Sequence, residues 1–223
     1  MKIDRAGVPF IAAPLVAASG LALAKRPFAA APFAALAGFM AFFFRDPERD
    51  VPDDVDAVVA PADGRVMVAG PAQKGVAPPG EWQQISIFLS PLDVHVNRAA
   101  FGGAVTRVEY RPGRFLPAYQ PDATRDNEQS EVWITRGGET VVMRQVVGIL
   151  ARRVVCRVAE GDELRTGQRF GVMKFGSRMD VFLPPHALLC VRRGDSVRGG
   201  ETIVARLRPA SRRRLGAEGG DSC

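Results

Sequence analysis

The chain has 223 residues, of which 47% are hydrophobic, 24% charged and 8% aromatic, enough for one globular domain with an ordinary core. This composition excludes a disordered chain, a collagen and a disulfide-rich mini-protein. A net charge of +6 at pH 7 favours an anionic partner, a nucleic acid or an acidic lipid surface, without choosing between them. The three cysteines lie far apart without a CxxC pair, so a zinc site is not expected.

The first fifth of the chain holds two uncharged apolar runs, residues 8–24 and 28–44, separated by a Lys-Arg-Pro triplet. Each run has 17 residues, which is the short limit for a membrane span, and prolines interrupt both. If both runs crossed with the body in the cytoplasm, the basic pair would lie outside, against the positive-inside tendency. We therefore predict a membrane-associated helical leader over residues 1–44, peripheral or re-entrant at the cell membrane, with the body on the cytoplasmic side.

Two plainer explanations of the leader stay open at this point. One is a cleaved signal peptide, because Lys2 and Arg5 precede an apolar run that ends in Ala-Leu-Ala. The other is a buried helical hairpin of a soluble core. A signal peptide leaves the second apolar run unexplained, and helices at the surface of a soluble core normally carry a polar face.

From Arg45 onward the chain consists of short β-branched and apolar runs, such as residues 85–89 (ISIFL), separated by Gly, Pro and Asp. These are strand lengths with turn signals between them. Because no stretch of the body keeps a helical period for a dozen residues, we predict a mainly β domain over residues 45–208, a sandwich or barrel of antiparallel strands. The tail, residues 209–223, is basic and predicted to be disordered.

The body contains an internal repeat. Residues 161–170 (GDELRTGQRF) and 194–203 (GDSVRGGETI), 33 positions apart, share the pattern GDx(L/V)xxG(Q/E)x(F/I). Glycine allows turn dihedrals with positive φ, aspartate can cap the turn, and the two apolar positions point inward from a short strand. The repeat predicts pseudo-twofold symmetry, and its spacing resembles the half-motifs of a biotinyl/lipoyl-type barrel-sandwich hybrid.

Few residues could act as a base near neutral pH. His95 directly follows a predicted apolar strand, and His186 follows two prolines in a predicted loop. Each could be a general acid or base, or a hydrogen-bonded turn histidine. Asp63 lies in an Asp-Gly dipeptide between predicted strands and, taken alone, is typical of a turn.

Ser177 follows Gly176 in the segment FGSR. No GxSxG pattern surrounds it, so the nucleophile of an α/β-hydrolase is not supported. A Gly-Ser bond does permit backbone chemistry, because glycine leaves its carbonyl open to attack by the hydroxyl of the next residue.

Five motifs, taken in order, resemble the short bacterial and archaeal form of phosphatidylserine decarboxylase. They are FFFRDPER at residues 42–49, PADG at 61–64, SPLDVHVNR at 90–98, Asn127-Glu128, and FGSR at 175–178. Five motifs in order are far more specific than any one of them, and the resemblance extends from about residue 40 to residue 207. The family is membrane-bound, in keeping with the predicted leader.

The resemblance implies a self-processing, pyruvoyl-dependent enzyme of phospholipid biosynthesis. The Ser177 hydroxyl would attack the Gly176 carbonyl, and elimination would cut the chain into a β chain, residues 1–176, and an α chain of 47 residues, 177–223. Ser177 would become the pyruvoyl cofactor. That cofactor would form a Schiff base with phosphatidylserine and accept the electrons released with carbon dioxide, which gives phosphatidylethanolamine.

The resemblance also implies roles for two further residues. His95 would be the base that activates Ser177, and later an acid, with Asp63 orienting the imidazole as in a Ser/His/Asp triad. Longer family members carry two histidines in a DYHxxH pattern, whereas here Arg98 stands at the second position. Either His95 performs both tasks or one task has moved.

The implied partners are the anionic phospholipid substrate and the membrane surface, which basic residues such as Arg152, Arg153 and the tail would contact. The same tail could instead be merely solvated. No metal is implied, and a nucleic-acid partner is disfavoured because the aromatic residues lie largely in the leader and no known nucleic-acid motif appears. The sequence leaves a homodimer open.

Three other functions are compatible with parts of the sequence. A biotinyl or lipoyl carrier would use Lys174, but it needs that lysine at the tip of an exposed hairpin and needs no apolar leader. A membrane-tethered serine hydrolase would use Ser177, His95 and Asp63, and predicts an uncut chain. A pyruvoyl decarboxylase could also act on a different amino lipid.

Overall fold

The computed structural model describes residues 2–120, 122–149, 154–174 and 176–207. The predictions for Arg152, Arg153 and the basic tail, residues 209–223, therefore fall outside the described residues. The helices are α1 (Val8–Leu23), α2 (Pro27–Phe43) and the short α3 (Ala123–Asp126). The strands are β1 (Lys2–Ile3), β2 (Arg45–Asp46), β3 (Ala57–Val59), β4 (Gly64–Pro71), β5 (Gln83–Leu89), β6 (Val96–Arg98), β7 (Gly103–Arg111), β8 (Gln129–Arg136), β9 (Glu139–Val146), β10 (Val155–Cys156), β11 (Glu163–Leu164), β12 (Arg169–Val172), β13 (Ser177–Leu183), β14 (Leu188–Leu189), β15 (Ser196–Val197) and β16 (Ile203–Arg206).

The body is built on one large antiparallel sheet of eight strands, in the order β11-β7-β8-β9-β13-β5-β4-β15. Two three-stranded sheets, β10-β12-β6 and β14-β16-β3, accompany it, and β1 pairs with β2. The large sheet curls into a half-barrel, and strand residues outnumber helical ones, 38% to 20%. The prediction of a mainly β, barrel-sandwich-like body with an apolar helical leader is therefore confirmed.

Side chains of the central strands alternate between the two faces of the sheet, and this alternation explains where the core lies. Ile85, Ile87 and Leu89 of β5 and Met179 and Val181 of β13 are completely buried and belong to one apolar cluster. Because successive strand residues point to opposite faces, the residues between them face the other side of the sheet. The concave side of the large sheet thus carries the main core.

The sequence repeat forms equivalent structures at the two edges of the large sheet. β11 of the first copy pairs with β7, and β15 of the second copy pairs with β4. In both copies the aspartate side chain accepts a backbone N–H three residues before it, at 2.9 Å. The partner strands begin with Gly103 and Gly64, at φ +150° and +149°, where a Cβ would lie 2.5 Å or less from a carbonyl oxygen of the next strand. The first position of each partner strand therefore requires glycine.

The leader forms two packed helices with little burial of their side chains. Leu23 and Phe28 are 86% and 94% exposed. The helical segment Arg5–Leu23 is long and apolar enough to cross a membrane, with 11% of its most apolar window buried, while Pro27–Phe43 is shorter than a full span. A helical hairpin buried in a soluble core does not fit this exposure.

The base of the hairpin is attached to the body by an apolar cluster. Phe43 and Phe44 at the end of α2 pack with Val94, Val96 and Val172. The Asp4 N–H also donates to the Phe44 carbonyl at 2.9 Å. The hairpin therefore begins next to the segment that contains His95.

Candidate active site

Ser177 is the first residue of β13, at the end of the sheet where β5 finishes. It pairs with Leu89, the last residue of β5, and is completely buried. Its hydroxyl is buried and has no hydrogen-bond partner among the described residues. Leaving a buried hydroxyl without a hydrogen-bond partner costs free energy. Such a group in a folded protein is therefore typical of a reactive or strained site.

Gly176 precedes it in the left-handed region, at φ +69°. A Cβ at this position would meet nothing within 4 Å, so the space beside its backbone is open. The glycine is needed for its backbone conformation, since other residues rarely adopt this φ. A left-handed glycine with open space beside its Cα therefore directly precedes the buried Ser177 hydroxyl.

His95 lies between β5 and β6 and is 1% exposed. Its Nδ1 is 2.9 Å from the Asp93 carbonyl oxygen. A carbonyl can only accept, so Nδ1 carries the proton and Nε2 presents its lone pair. Nε2 is buried without a partner among the described residues, and the ring packs on Phe43 with centroids 4.0 Å apart.

The environment of His95 keeps its imidazole neutral. Burial is the largest cause and lowers its pKa from 6.5 to about 4, although the hydrogen bond to the Asp93 carbonyl and the Asp93 charge oppose the change. Arg45 adds a further repulsion to the protonated form. The side chain is therefore a neutral base at physiological pH.

The structure brings His95 against the segment that leads into Ser177. Val96 pairs with Val172, and the Met173 N–H donates to the His95 carbonyl at 3.1 Å. Two buried polar atoms without partners, the His95 Nε2 and the Ser177 Oγ, thus lie on neighbouring segments at one end of the sheet.

The partners of the Asp63 carboxylate are Arg49 and Gly199, and not the His95 imidazole. Its carboxylate accepts two hydrogen bonds from Arg49 Nη2, at 3.0 and 2.7 Å, and one from the Gly199 N–H at 2.7 Å. Arg49 also lies 3.5 Å from Glu201. The acceptor that orients His95 is the backbone carbonyl of Asp93, where the family resemblance had implied the Asp63 carboxylate.

Asp63 nevertheless lines the same cavity as Ser90 and Asp93, which lie in the segment that leads to His95. A cavity of about 480 Å³ is lined by Asp63, Arg65, Phe88, Ser90 and Asp93, among others. It lies where β4 begins and β5 ends, the end of the sheet at which Ser177 starts β13.

Arg98 does not replace the missing second histidine. Its side chain is 5% exposed and donates to the carbonyls of Gly167 and Pro47, at 3.1 and 2.8 Å, and to Asp46 at 3.3 Å. Asp46 is also bound by Arg169 at 2.7 Å. Arg98 therefore fastens the segment after the hairpin to the body, and its guanidinium is engaged there.

The other candidates are placed outside this arrangement. His186 contacts the Glu139 carboxylate at 3.1 Å, away from Ser177 in the sheet. Lys174 Nζ lies 5.1 Å from the Phe10 ring centroid, beside the hairpin and not at the exposed tip that a carrier lysine needs. Within the described ranges, no group of three His, Cys, Asp or Glu side chains is placed to hold a metal ion.

Sequence reasoning missed two contributors to the site, Arg49 and the Asp93 carbonyl. Arg49 is the last residue of the FFFRDPER motif, residues 42–49, and no role was predicted for it. The available signal was a basic residue in one motif of the resemblance and an acidic residue, Asp63, in the next. The carbonyl left no signal, because any residue type supplies one.

Comparison with known proteins agrees with this geometry. Residues 36–205 match the family model described as phosphatidylserine decarboxylase. A phosphatidylserine decarboxylase proenzyme from Symbiobacterium thermophilum is 45% identical over 206 residues, 92% of this chain and 95% of the relative. The proenzyme from Salinibacter ruber is 45% identical over 184 residues, 81% of each chain, and that from Pelodictyon phaeoclathratiforme is 45% identical over 169 residues, 75% and 79%.

The matched region contains Asp63, His95, Gly176 and Ser177 and covers the β body almost completely. It gives no support to a carrier module, a serine hydrolase or a nucleic-acid binder. The chain therefore belongs to the phosphatidylserine decarboxylase family.

Proposed function

We propose that this chain is a self-processing, pyruvoyl-dependent decarboxylase that converts phosphatidylserine to phosphatidylethanolamine and carbon dioxide in phospholipid biosynthesis. The observation that carries the proposal is the pair Gly176-Ser177. A left-handed glycine with open space precedes a buried hydroxyl that has no partner among the described residues.

The chain would cut itself between these two residues. The Ser177 Oγ attacks the Gly176 carbonyl carbon, and the acyl group moves from nitrogen to oxygen, which gives an ester. Loss of the Ser177 Cα proton then breaks the Cβ–O bond, so that Gly176 leaves with a carboxylate and residue 177 becomes dehydroalanine. Water adds, ammonia leaves, and the pyruvoyl group remains at the start of the α chain.

His95 is the base that we assign to this step. Its Nε2 lone pair is free and its pKa is about 4, so it can take the proton of the Ser177 hydroxyl at neutral pH. The Asp93 carbonyl holds the tautomer in which Nε2 is the acceptor. Asp63 and Arg49 keep the Gly199 backbone, which lies on the α chain, beside the site after the cut.

The residues present fit a pyruvoyl group, because position 177 is enclosed and its side-chain oxygen makes no other described contact. When formed, the group supplies an electron sink for the electron pair released with carbon dioxide. The chain's own part is to exclude water around residue 177 and to return a proton to the substrate carbon. His95 is placed to do so, with Phe43 covering one face of its ring.

The location that we propose is the cell membrane, with the hairpin of α1 and α2 in the lipid and the body on the cytoplasmic side. The support is the apolar, largely exposed surface of the two helices. A phospholipid substrate is itself a membrane component, so an anchored enzyme meets it without extraction.

The intact mass of the purified protein tests the proposal. The wild-type chain should yield two pieces, residues 1–176 and 177–223, whose masses sum to that of the precursor plus one water minus one ammonia. Ser177→Ala and His95→Gln should stay uncut, while Ser19→Ala, an exposed serine of α1, should be cut normally. A single uncut wild-type chain that decarboxylates phosphatidylserine would overturn the pyruvoyl mechanism.

A further inference from the structure

A short turn next to His95 presents an apolar side chain to the surroundings. In residues 90–93, Asp93 N–H donates to the Ser90 carbonyl at 3.0 Å, and the Asp93 carboxylate accepts the Ser90 N–H at 2.7 Å. Leu92 near the tip is 65% exposed. The turn is thus well ordered by its own hydrogen bonds, and its outermost side chain is a leucine.

This turn is fastened to the base of the hairpin. Arg45 Nη2 donates to the Leu92 carbonyl at 2.7 Å, and Arg45 Nη1 donates to the Phe42 carbonyl at 2.9 Å. The guanidinium also lies 3.9 Å from the centroid of the Phe42 ring. Since His95 packs on Phe43, the turn and the histidine are both attached to the end of α2.

Leu92 lies beside an exposed apolar part of the hairpin, because Arg45 joins its carbonyl to that of Phe42. Phe39 and Phe42, on the last turns of α2, are 39% and 42% exposed. Two cations lie against rings of the hairpin, since Arg45 is held over Phe42 and the Lys174 ammonium lies 5.1 Å from the Phe10 ring centroid. Apolar side chains with a rim of cations match the boundary between acyl chains and anionic headgroups.

We propose that Leu92 inserts into the interfacial region of an anionic bilayer beside the hairpin, so that residues 90–93 hold His95 at the depth of the lipid headgroups. The membrane contact rests on the proposed location of the hairpin in the lipid, and the identity of the lipid as substrate rests on the proposed decarboxylation. The serine headgroup would then reach the site without its lipid leaving the bilayer.

Tryptophan fluorescence tests the contact without any turnover. The full-length, membrane-reconstituted protein carrying Leu92→Trp is placed in vesicles of phosphatidylcholine and phosphatidylglycerol with brominated acyl chains. Val55→Trp is the control, because Val55 is 69% exposed and its carbonyl contacts Arg136 and not the hairpin. Emission of the native Trp82 and Trp133 is subtracted with the wild-type protein.

We expect bromine to quench the added emission of Leu92→Trp at least twice as strongly as that of Val55→Trp. Equal quenching at the two positions would overturn the proposal. If Leu92→Trp is quenched but the wild-type protein does not decarboxylate phosphatidylserine, the membrane contact stands and the proposed function fails.

Kinetics provide a second readout. For Leu92→Asp, activity on phosphatidylserine in vesicles should fall about tenfold further than activity on a dispersed short-chain phosphatidylserine, equivalent to about 1.4 kcal/mol of lost membrane affinity. Val55→Asp should leave both activities unchanged. Equal losses on the two substrates for Leu92→Asp would mean a local effect on the site and would contradict the proposal.

Discussion

At the scale of single residues, the site depends on one buried histidine that is held neutral. The His95 side chain is buried, donates one hydrogen bond from Nδ1 to the Asp93 carbonyl and packs on Phe43. Burial outweighs the favourable contact with Asp93, so protonation is disfavoured. The same environment that makes His95 a base at neutral pH makes its protonation a cost to the fold.

This cost predicts the pH dependence of stability. The unfolded chain binds a proton at His95 below about pH 6.5, whereas the folded chain does so only near pH 4. Stability from this group is therefore complete above pH 6.5 and is lost as the pH falls toward 4. Between pH 7 and pH 5 the loss should be about 2 kcal/mol.

Urea unfolding of the uncut Ser177→Ala protein at the two pH values measures this loss. Adding His95→Gln should reduce the pH dependence by about 2 kcal/mol, because glutamine does not titrate. If the double variant loses as much stability as Ser177→Ala alone, the folded His95 titrates with an ordinary pKa and is not the buried neutral base described above.

At the scale of elements, the proposed cut falls at the start of a strand in the middle of the large sheet. β13 pairs with β5 over seven residues and with β9 over five, and every one of its residues is buried. Cutting before Ser177 leaves the pairing of residues 178–183 with β5 and β9 in place. The two chains should therefore remain one folded unit.

Native gel filtration followed by denaturing electrophoresis checks this expectation. Both chains should elute together and separate only in denaturant. Because two pieces must then reassociate, the unfolding midpoint of the cut protein should rise with protein concentration, while that of uncut Ser177→Ala should not. Loss of the small chain during dialysis would show that β13 is not held by its neighbours.

The sequence predicted the elements better than it predicted the contacts between them. The uncharged runs 8–24 and 28–44 became helices within a residue of their limits, because lysine and proline mark their ends. The repeat predicted two equivalent turn-and-strand units, since glycine and aspartate define both turns, and the structure places these units at the two edges of the large sheet. The contact of Asp63 with Gly199 could not be predicted, because Gly199 is 136 positions away and contributes only its backbone N–H.

At the scale of the whole molecule, two surfaces of different character lie next to each other. The hairpin is apolar around its circumference, while the body carries the charged residues and the candidate site at the hairpin's base. Neither helix contributes its outer side chains to the body. Membrane attachment and folding of the body should therefore be separable.

Glutamate substitutions on the outer face of the hairpin test that separation. Val16, Leu23 and Phe28 are 72%, 86% and 94% exposed, so replacing all three by glutamate removes no core contact but opposes insertion, at about 2 kcal/mol or more for each charge that enters the hydrocarbon. The triple variant should shift from the membrane pellet to the supernatant after cell lysis, while the wild type should stay in the pellet in high salt and leave it only with detergent. Cleavage at Gly176 should proceed in both, because Ser177 and His95 are untouched. A triple variant that stays in the membrane fraction would mean that the basic body, and not the hairpin, holds the protein there.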